Sequence, residues 1–241
     1  MPMGVHTTPV RSKREGATLG LRSSIGWAAV VVCVLFGFWG LSVAASEGLA
    51  MLGLAEGSPD RSAPPFFLAH AAVGGVALIA GSLQLRLADR LLRRRRRAHR
   101  AVGRIYLWGA SITSLGGLPV AASFHANLAG KLMFAAESLL WFAATTIAYR
   151  RIRRGNVLDH RRWMIRSYAL ALFVVTFGVL DPLFEASALP ENTGEAIAVF
   201  LSWSLNLAAA ELWIRRARPA TAARWRTPPT LAERAGGSSN S

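Results

Sequence analysis

The chain alternates long apolar segments with short polar connections. Each of six segments holds about 20 mainly apolar residues, the length of helix that crosses about 30 Å of hydrocarbon. Lipid offers backbone amides no hydrogen-bond partner, and the segments lack the alternating pattern of a membrane barrel. The pattern predicts an all-α polytopic membrane bundle with six transmembrane helices at 26–46, 66–87, 104–124, 129–149, 164–184 and 195–214.

The basic residues predict the orientation of these spans. Of 28 Lys and Arg residues, 26 lie before the first span, on or beside the connections between spans two and three and between spans four and five, or after span six. Only Arg61 and Lys131 fall on the other side. The positive-inside rule therefore places both termini in the cytoplasm. The segments 1–25 and 215–241, which are basic and rich in Pro, Gly, Ser and Thr, are predicted to be disordered cytoplasmic tails.

The net charge of +15 and the pI near 11.7 favour an anionic partner, which could be nucleic acid or anionic lipid. The run Arg93–Arg97 is predicted to be a short loop between membrane helices, and it has no interleaved aromatic residues that could stack on bases. This excludes nucleic acid and leaves the lipid bilayer, with anionic headgroups at the cytoplasmic face, as the predicted partner.

Composition also narrows the chemistry. The chain is 52% hydrophobic and 17% charged, with a mean hydropathy of +0.32, which argues against an ordinary soluble enzyme. The single cysteine, Cys33, excludes an intramolecular disulfide. No P-loop, dinucleotide fingerprint, HExxH motif or serine nucleophile elbow is present, so an enzymatic activity stays open without a motif to support it.

Two segments that enter the membrane from the basic side resemble each other. In 98–106 and in 159–168, a His-Arg pair is followed by another Arg about one and a half turns later, and then by a Tyr two residues beyond. Each segment follows an arginine-rich connection. Spans two–three and four–five are therefore predicted to be parallel repeats, with His99 and His160 at matching depths.

The same motifs carry a family resemblance. His70, HRxxGRxY at 99–106, Trp141 and HRxWMxRSY at 160–168 resemble the bacterial predicted membrane protein family DUF2306 over about 66–180. The resemblance implies a multi-pass protein of the bacterial cytoplasmic membrane and implies no activity. Family members often carry an Arg after the Val-Thr of the fifth span, where this chain has Phe177-Gly178.

The histidines suggest one possible cofactor. Di-haem membrane cytochromes hold each b-type haem between imidazoles from two helices. His99 and His160 form a candidate inner pair, and His70 with His125 a weaker outer pair. Gly74, Gly75 and Gly103 could leave room for the macrocycle. The alternative is that the inner histidines are interfacial side chains without a ligand, and that Asp159 is the N-cap of the helix that carries His160.

Two acidic residues lie within predicted spans. Glu137 is eight residues into span four, about 12 Å from its outer end, so we expect it to face the bundle interior as a proton carrier or as a neutral hydrogen-bonded group. Glu211 is predicted to pair with Arg215 one turn away.

Small residues recur along the third span. The ladder Gly109, Thr113 and Gly117 predicts close helix packing.

Three functions from different classes remain open. A redox protein would bind b-type haem through His99, His160 or His70. A small-solute or proton transporter would use Glu137 from a water-accessible cavity. A non-catalytic membrane scaffold would do neither.

Overall fold

The computed structural model describes residues 28, 30–46, 49, 65–123 and 127–224. Throughout these residues the regular structure is α-helical. We number the helices in chain order as α1 Val30–Ser46, α2 Pro65–Arg94, α3 Arg96–Ser123, α4 Leu128–Arg153, α5 Val157–Ala171, α6 Phe173–Glu185 and α7 Glu191–Arg224.

Five segments are long and apolar enough to cross a membrane: Pro65–Leu85, Arg96–Ser123, Leu128–Arg153, Val157–Glu185 and Asn192–Arg216. The fourth of these combines α5 and α6, which are separated only by a turn at Leu172. The described part of the first predicted span is the shorter apolar helix α1. The prediction of an all-α polytopic bundle is confirmed.

The basic connections are more helical than the hydropathy pattern indicated. The predicted loop at Arg93–Arg97 is wrong, because Arg95 alone separates α2 from α3. Helix α7 continues to Arg224, so the first ten residues of the predicted C-terminal tail are helical. Arginine is a good helix former, and its long side chain reaches water from a helix end. The predicted N-terminal tail and His125 lie outside the described residues.

The turn between α4 and α5 is fixed by two adjacent residues. Gly155 has φ = 75°, and its N–H donates to the carbonyl of Ile152 while the next N–H donates to the carbonyl of Arg151. This is a Schellman motif, which favours glycine at the left-handed position. Asn156 then caps α5 by accepting from Asp159 N, so the prediction of Asp159 as the N-cap is wrong. The turn sets the register in which α5 presents His160 to α4.

The helices pack as antiparallel neighbours around a central core. The contacts between α2 and α3, between α4 and α5, and between α3 and α4 are extensive, and α7 packs against α4, α5 and α6. The bundle of spans two to five is therefore extended by α7. Helix α1 approaches α2 closely, since a Cβ placed on Gly37 would lie 2.8 Å from the carbonyl oxygen of Gly75. Tyr106, Trp141 and Tyr168 are at the centre of the core.

We call the end of the bundle that carries Arg95, Arg153 and Arg215 the arginine-rich end. The ends of α2 and α3 that carry His70 and Gly117 lie toward the opposite end.

Candidate functional site

A chain of hydrogen-bonded hydroxyl groups lies in the centre of the bundle. Oη of Tyr106 is 2.8 Å from Oγ of Ser167, which is 2.7 Å from Oγ1 of Thr145. Thr145 donates its proton to the carbonyl of Trp141, 2.8 Å away. Thr145 has only this one hydroxyl proton, so it must accept the hydrogen bond from Ser167. Ser167 therefore donates to Thr145 and accepts from Tyr106. Three helices thus contribute to one directional chain that is buried from solvent and lipid.

The second tyrosine of the near-repeat packs against the first. The ring centroids of Tyr106 and Tyr168 are 6.3 Å apart, and Tyr168 Oη lies 2.7 Å from Oγ of Ser82. Ser82 donates to the carbonyl of Leu78, so Tyr168 is the donor to Ser82. A Cβ on Gly81 would lie 2.5 Å from the ring of Tyr168 and 2.8 Å from that of Tyr106. Gly81 therefore provides the space in which the two motif tyrosines meet.

A buried carboxyl group, Glu137, lies near the Tyr106 end of the hydroxyl chain. Its side chain is buried, with 2% of the residue exposed, and Ser138 is within hydrogen-bonding range of the carboxyl. Tyr106 is close enough to interact electrostatically with Glu137, and Trp141, one helical turn from Glu137, lies beside the Tyr106 hydroxyl. Oε1 of Glu137 has no hydrogen-bond partner within the described part of the chain. A buried, unpartnered carboxyl oxygen is costly unless a proton or a water molecule satisfies it.

His70 lies closer than Glu137 to the end of the bundle opposite the arginine-rich end. Its Nδ1 is 3.0 Å from the carbonyl oxygen of Thr113. A carbonyl only accepts, so Nδ1 carries the proton and Nε2 keeps its lone pair. A Cβ on Gly117 would contact both Oγ of Ser138 and Cε1 of His70, which places Gly117 between the histidine and the serine next to Glu137. His70 thus bonds to Thr113, and its ring and Ser138, the residue after Glu137, both lie beside Gly117.

The two motif histidines come together near the arginine-rich end. His99 and His160 are close enough to interact electrostatically. His160 Nδ1 is 2.8 Å from the carbonyl oxygen of Ala148, so it donates there and leaves Nε2 free to accept. His99 Nδ1 is buried without a hydrogen-bond partner among the described residues. Nε2 of Gln84 donates to the carbonyl of His99 at 2.5 Å, and the Gln84 Oε1 atom also lacks a partner.

The three glycines predicted to leave room for a haem are covered by other residues. A Cβ on Gly103 would lie 3.0 Å from Nε2 of Gln84, and one on Gly74 would lie 3.1 Å from Cγ2 of Thr113. Gly75 faces the backbone of α1. A neutral imidazole such as His160 suits an axial ligand, but a porphyrin also needs a planar slot beside it. Beside the inner pair that slot was expected at Gly103, and there the side chain of Gln84 occupies the space, so the described arrangement leaves no open slot for a haem next to His99.

Close packing also accounts for the ladder on α3. A Cβ on Gly109 would lie 3.1 Å from Cβ of Ala77 on α2, and the Gly117 position contacts Ser138 on α4. The predicted role of the small residues is confirmed. As for metals, no cluster of three or more His, Cys, Asp or Glu side chains occurs within the ranges that the structure describes.

Glu211 has a partner that the sequence analysis missed. Its Oε2 accepts from Arg166 Nη2 at 2.7 Å and from Arg166 Nε at 3.1 Å, whereas Arg215 approaches Oε1 at 3.4 Å. The predicted pair with Arg215 exists, but the shorter contacts join α7 to α5. Arg166 is the final arginine of the motif HRxWMxRSY, and its guanidinium lies 4.8 Å from the ring centroid of Trp163. The motif spacing was the only signal that could have singled out Arg166.

The helices that carry these residues lie in a region that matches a known family. A family profile described as "Predicted membrane protein (DUF2306)" matches residues 67–214. The chain belongs to this family. The matched region extends beyond the 66–180 of the motif resemblance and includes most of α7, whose Glu211 pairs with the motif arginine. No curated protein and no solved structure matches the chain.

Within this DUF2306 protein, three of the four candidate residues named from sequence adjoin the central hydroxyl chain or the helix turns next to it. Glu137 is near Tyr106, His160 bonds to α4 one turn from Thr145, and His70 lies beside Gly117, which also adjoins Ser138 next to Glu137. His99 is adjacent to His160. Sequence reasoning did not name Tyr106, Ser167 or Thr145 as site residues. Tyr106 and Ser167 are motif positions to which no role was given, and Thr145 lies outside the motifs.

Proposed function

We propose that this protein transfers protons through the helix bundle and that Glu137 is the intramembrane proton carrier. The supporting observation is the directional hydrogen-bonded chain from Tyr106 through Ser167 to Thr145, which begins beside a buried carboxyl group. A carboxyl group in such surroundings is stable as a neutral acid, and it can exchange its proton only with neighbouring groups.

The proposed path begins at His70. Nε2 of His70 accepts a proton from the opposite end, and the proton reaches Glu137 by way of Ser138. Buried water fits this segment, because Oε1 of Glu137 and Oγ1 of Thr113 are buried atoms without a partner among the described residues.

The second half of the path runs toward the arginine-rich end. Glu137 releases its proton to the oxygen of Tyr106 as the Tyr106 proton passes to Ser167 and the Ser167 proton passes to Thr145. Rotation of the Thr145 hydroxyl away from the Trp141 carbonyl lets Thr145 release its original proton along α4. His160 bonds to Ala148, three residues further along this helix, and its free Nε2 is the acceptor. His99 and Gln84, each with an unpartnered buried atom, complete the exit with water.

The distribution of basic residues supports one orientation of this path in the cell. The arginine-rich end contains 26 of the 28 basic residues when the connections and tails are assigned by the predicted topology. We infer that this end faces the cytoplasm and that the membrane is the cytoplasmic membrane of a bacterium.

The test is proton flux into proteoliposomes. Purified protein is reconstituted with an internal pH-sensitive dye, and a potassium gradient with valinomycin drives proton entry. We expect a flux above that of protein-free liposomes, a loss of that flux in Glu137→Gln, and no change in Glu211→Gln, in which the substituted carboxylate lies outside the path.

Circular dichroism and thermal melting of each variant separate transport from folding. If the Glu137→Gln variant melts like the parent and still carries the parent flux, Glu137 is not the carrier. A parent flux equal to that of empty liposomes would overturn the proposed function and favour the non-catalytic scaffold. Should Glu137→Gln fail to fold, Glu137→Asp, which keeps an exchangeable proton, must retain flux.

A further inference from the structure

A groove of about 600 Å³ lies between α4, α5 and α7. Its apolar walls come from all three helices and include Leu140, Leu170, Phe200 and Leu207. Its volume is within the range of small-molecule sites. The groove is open along one side and uses none of the residues assigned to proton transfer.

The length of the groove matches one leaflet of a membrane. On α7 its lining runs from Phe200 to Glu211, a separation of eleven positions, which is about 16 Å at 1.5 Å per residue. Half of a hydrocarbon core of about 30 Å is about 15 Å. A single acyl chain of one leaflet therefore has the extent that this groove can cover.

The end of the groove that is nearer the arginine-rich end of the bundle is polar and carries a net positive charge. Arg166, Glu211 and Trp163 line it, and Arg215 also contacts Glu211. Two guanidinium groups thus share one carboxylate, which leaves one positive charge uncompensated within the cluster. Arginine suits phosphate oxygens because its N–H donors match their geometry, and tryptophan favours the depth of lipid headgroups.

We propose that this groove is a binding site for one anionic phospholipid of the leaflet at the arginine-rich end. An acyl chain lies along Leu140, Leu170 and Phe200, and the phosphate contacts the Arg166–Arg215 cluster. The site is independent of the proposed proton path, so either proposal can fail without the other.

The binding experiment compares two lipids that differ only in headgroup charge. Purified protein is delipidated in detergent and titrated with phosphatidylglycerol or with phosphatidylcholine of the same acyl chains, and native mass spectrometry counts the bound lipids. We expect one phosphatidylglycerol to bind about tenfold more tightly than phosphatidylcholine, a difference of about 1.4 kcal/mol. Equal binding of the two lipids would overturn the proposal.

Two adjacent alanines provide a matched control. Ala208 lines the groove, whereas Ala209 is exposed and is not part of the lining. We expect Ala208→Phe, which fills the groove, to weaken phosphatidylglycerol binding at least about tenfold, and Ala209→Phe to leave it unchanged. Similar binding by both variants would contradict the assignment of the site. A change in oligomeric state in Ala208→Phe alone would identify a second copy of the chain as the occupant.

The headgroup contact is tested by removing all the charges of the cluster together. In Arg166→Gln/Glu211→Gln/Arg215→Gln both arginines and the carboxylate that they share become neutral, so no uncompensated charge remains at the groove. We expect this variant to keep binding lipid while losing its preference for phosphatidylglycerol. Retention of the full preference would show that the cluster does not recognise the phosphate, and the comparison of the two lipids on the parent protein remains informative if the variant does not fold.

Discussion

Tyr106 and Ser167 are joined by a hydrogen bond of 2.8 Å although 61 residues separate them in the chain. Tyr106 is the tyrosine of the first motif, and Ser167 is next to the tyrosine of the second. The bond therefore connects the two halves of the near-repeat through their most similar segments. It also links α3 to α5 inside an apolar core, where one hydrogen bond between hydroxyl groups restricts both the packing and the positions of exchangeable protons.

We predict that Tyr106→Phe separates these two roles. Ser167 keeps its bond to Thr145, and the ring keeps its packing, so the free energy of unfolding should fall by only about 1 kcal/mol. Proton flux in proteoliposomes should fall much more strongly, because the variant has no exchangeable proton at this point. The control is Tyr149→Phe, at an exposed tyrosine on α4. Unchanged flux in a folded Tyr106→Phe variant would show that the path bypasses this hydroxyl.

Gly81 is predicted to tolerate no side chain. A methyl group there would overlap the rings of both Tyr168 and Tyr106, so we expect Gly81→Ala to lower the free energy of unfolding by about 2–3 kcal/mol. Thermal melting in detergent measures the effect. Gly116→Ala is the matched control, because the nearest atoms to its Cβ position belong to His70 at 3.9 Å. Equal melting temperatures for the two variants would contradict the packing of the tyrosine pair.

Much of the architecture could be predicted from sequence because the membrane restricts it. About 20 apolar residues without hydrogen-bond partners must form a helix, so every predicted span coincides with an apolar helix in the structure. The ends of those helices could not be predicted from hydropathy. The segments around Arg95 and after Arg215 are polar by composition but helical by propensity, and a hydropathy pattern does not distinguish a polar loop from a polar helix.

The candidate site was predictable only in part. A carboxyl group at the depth of Glu137 is conspicuous within an apolar span, and two histidines in similar segments are conspicuous as a pair. The partners were not predictable, because Tyr106, Ser167 and Thr145 become neighbours only through the packing of three helices. The same reason explains Glu211, where the local partner Arg215 was evident from spacing and the closer partner Arg166 was 45 residues away.

The ion pair between Arg166 and Glu211 is predicted to stabilise the contact of α5 with α7. A double-mutant cycle with Arg166→Gln and Glu211→Gln should give a coupling energy of about 1–2 kcal/mol, because the groups are partly exposed and the Arg166 contacts are short. The corresponding cycle with Arg215→Gln should give less than about 0.5 kcal/mol, since that arginine is 68% exposed. Equal coupling energies in the two cycles would contradict the prediction that Arg166 is the stronger partner of Glu211.

The haem hypothesis leads to a spectroscopic prediction. The glycines beside the histidines are covered, so protein expressed with ample haem should show no stoichiometric bands in a reduced-minus-oxidised spectrum. His99→Ala and His160→Ala should give the same blank spectrum as the parent. Sharp bands in the parent that are lost in either variant would establish a bis-histidine haem. They would also require the helices around Gly103 to separate from Gln84.

The orientation of the bundle is predicted from its charges and can be tested by labelling. Cys33 is buried, and a Cys33→Ala background leaves no other cysteine in the chain. In that background, Ser187→Cys places a thiol in the turn between α6 and α7, and Arg154→Cys places one at the arginine-rich turn between α4 and α5. A membrane-impermeant maleimide should label intact cells at position 187 and should label position 154 only after permeabilisation, because arginine-rich connections stay on the cytoplasmic side. The reverse pattern would invert the orientation, and the proton path from His70 to His160 would then begin in the cytoplasm.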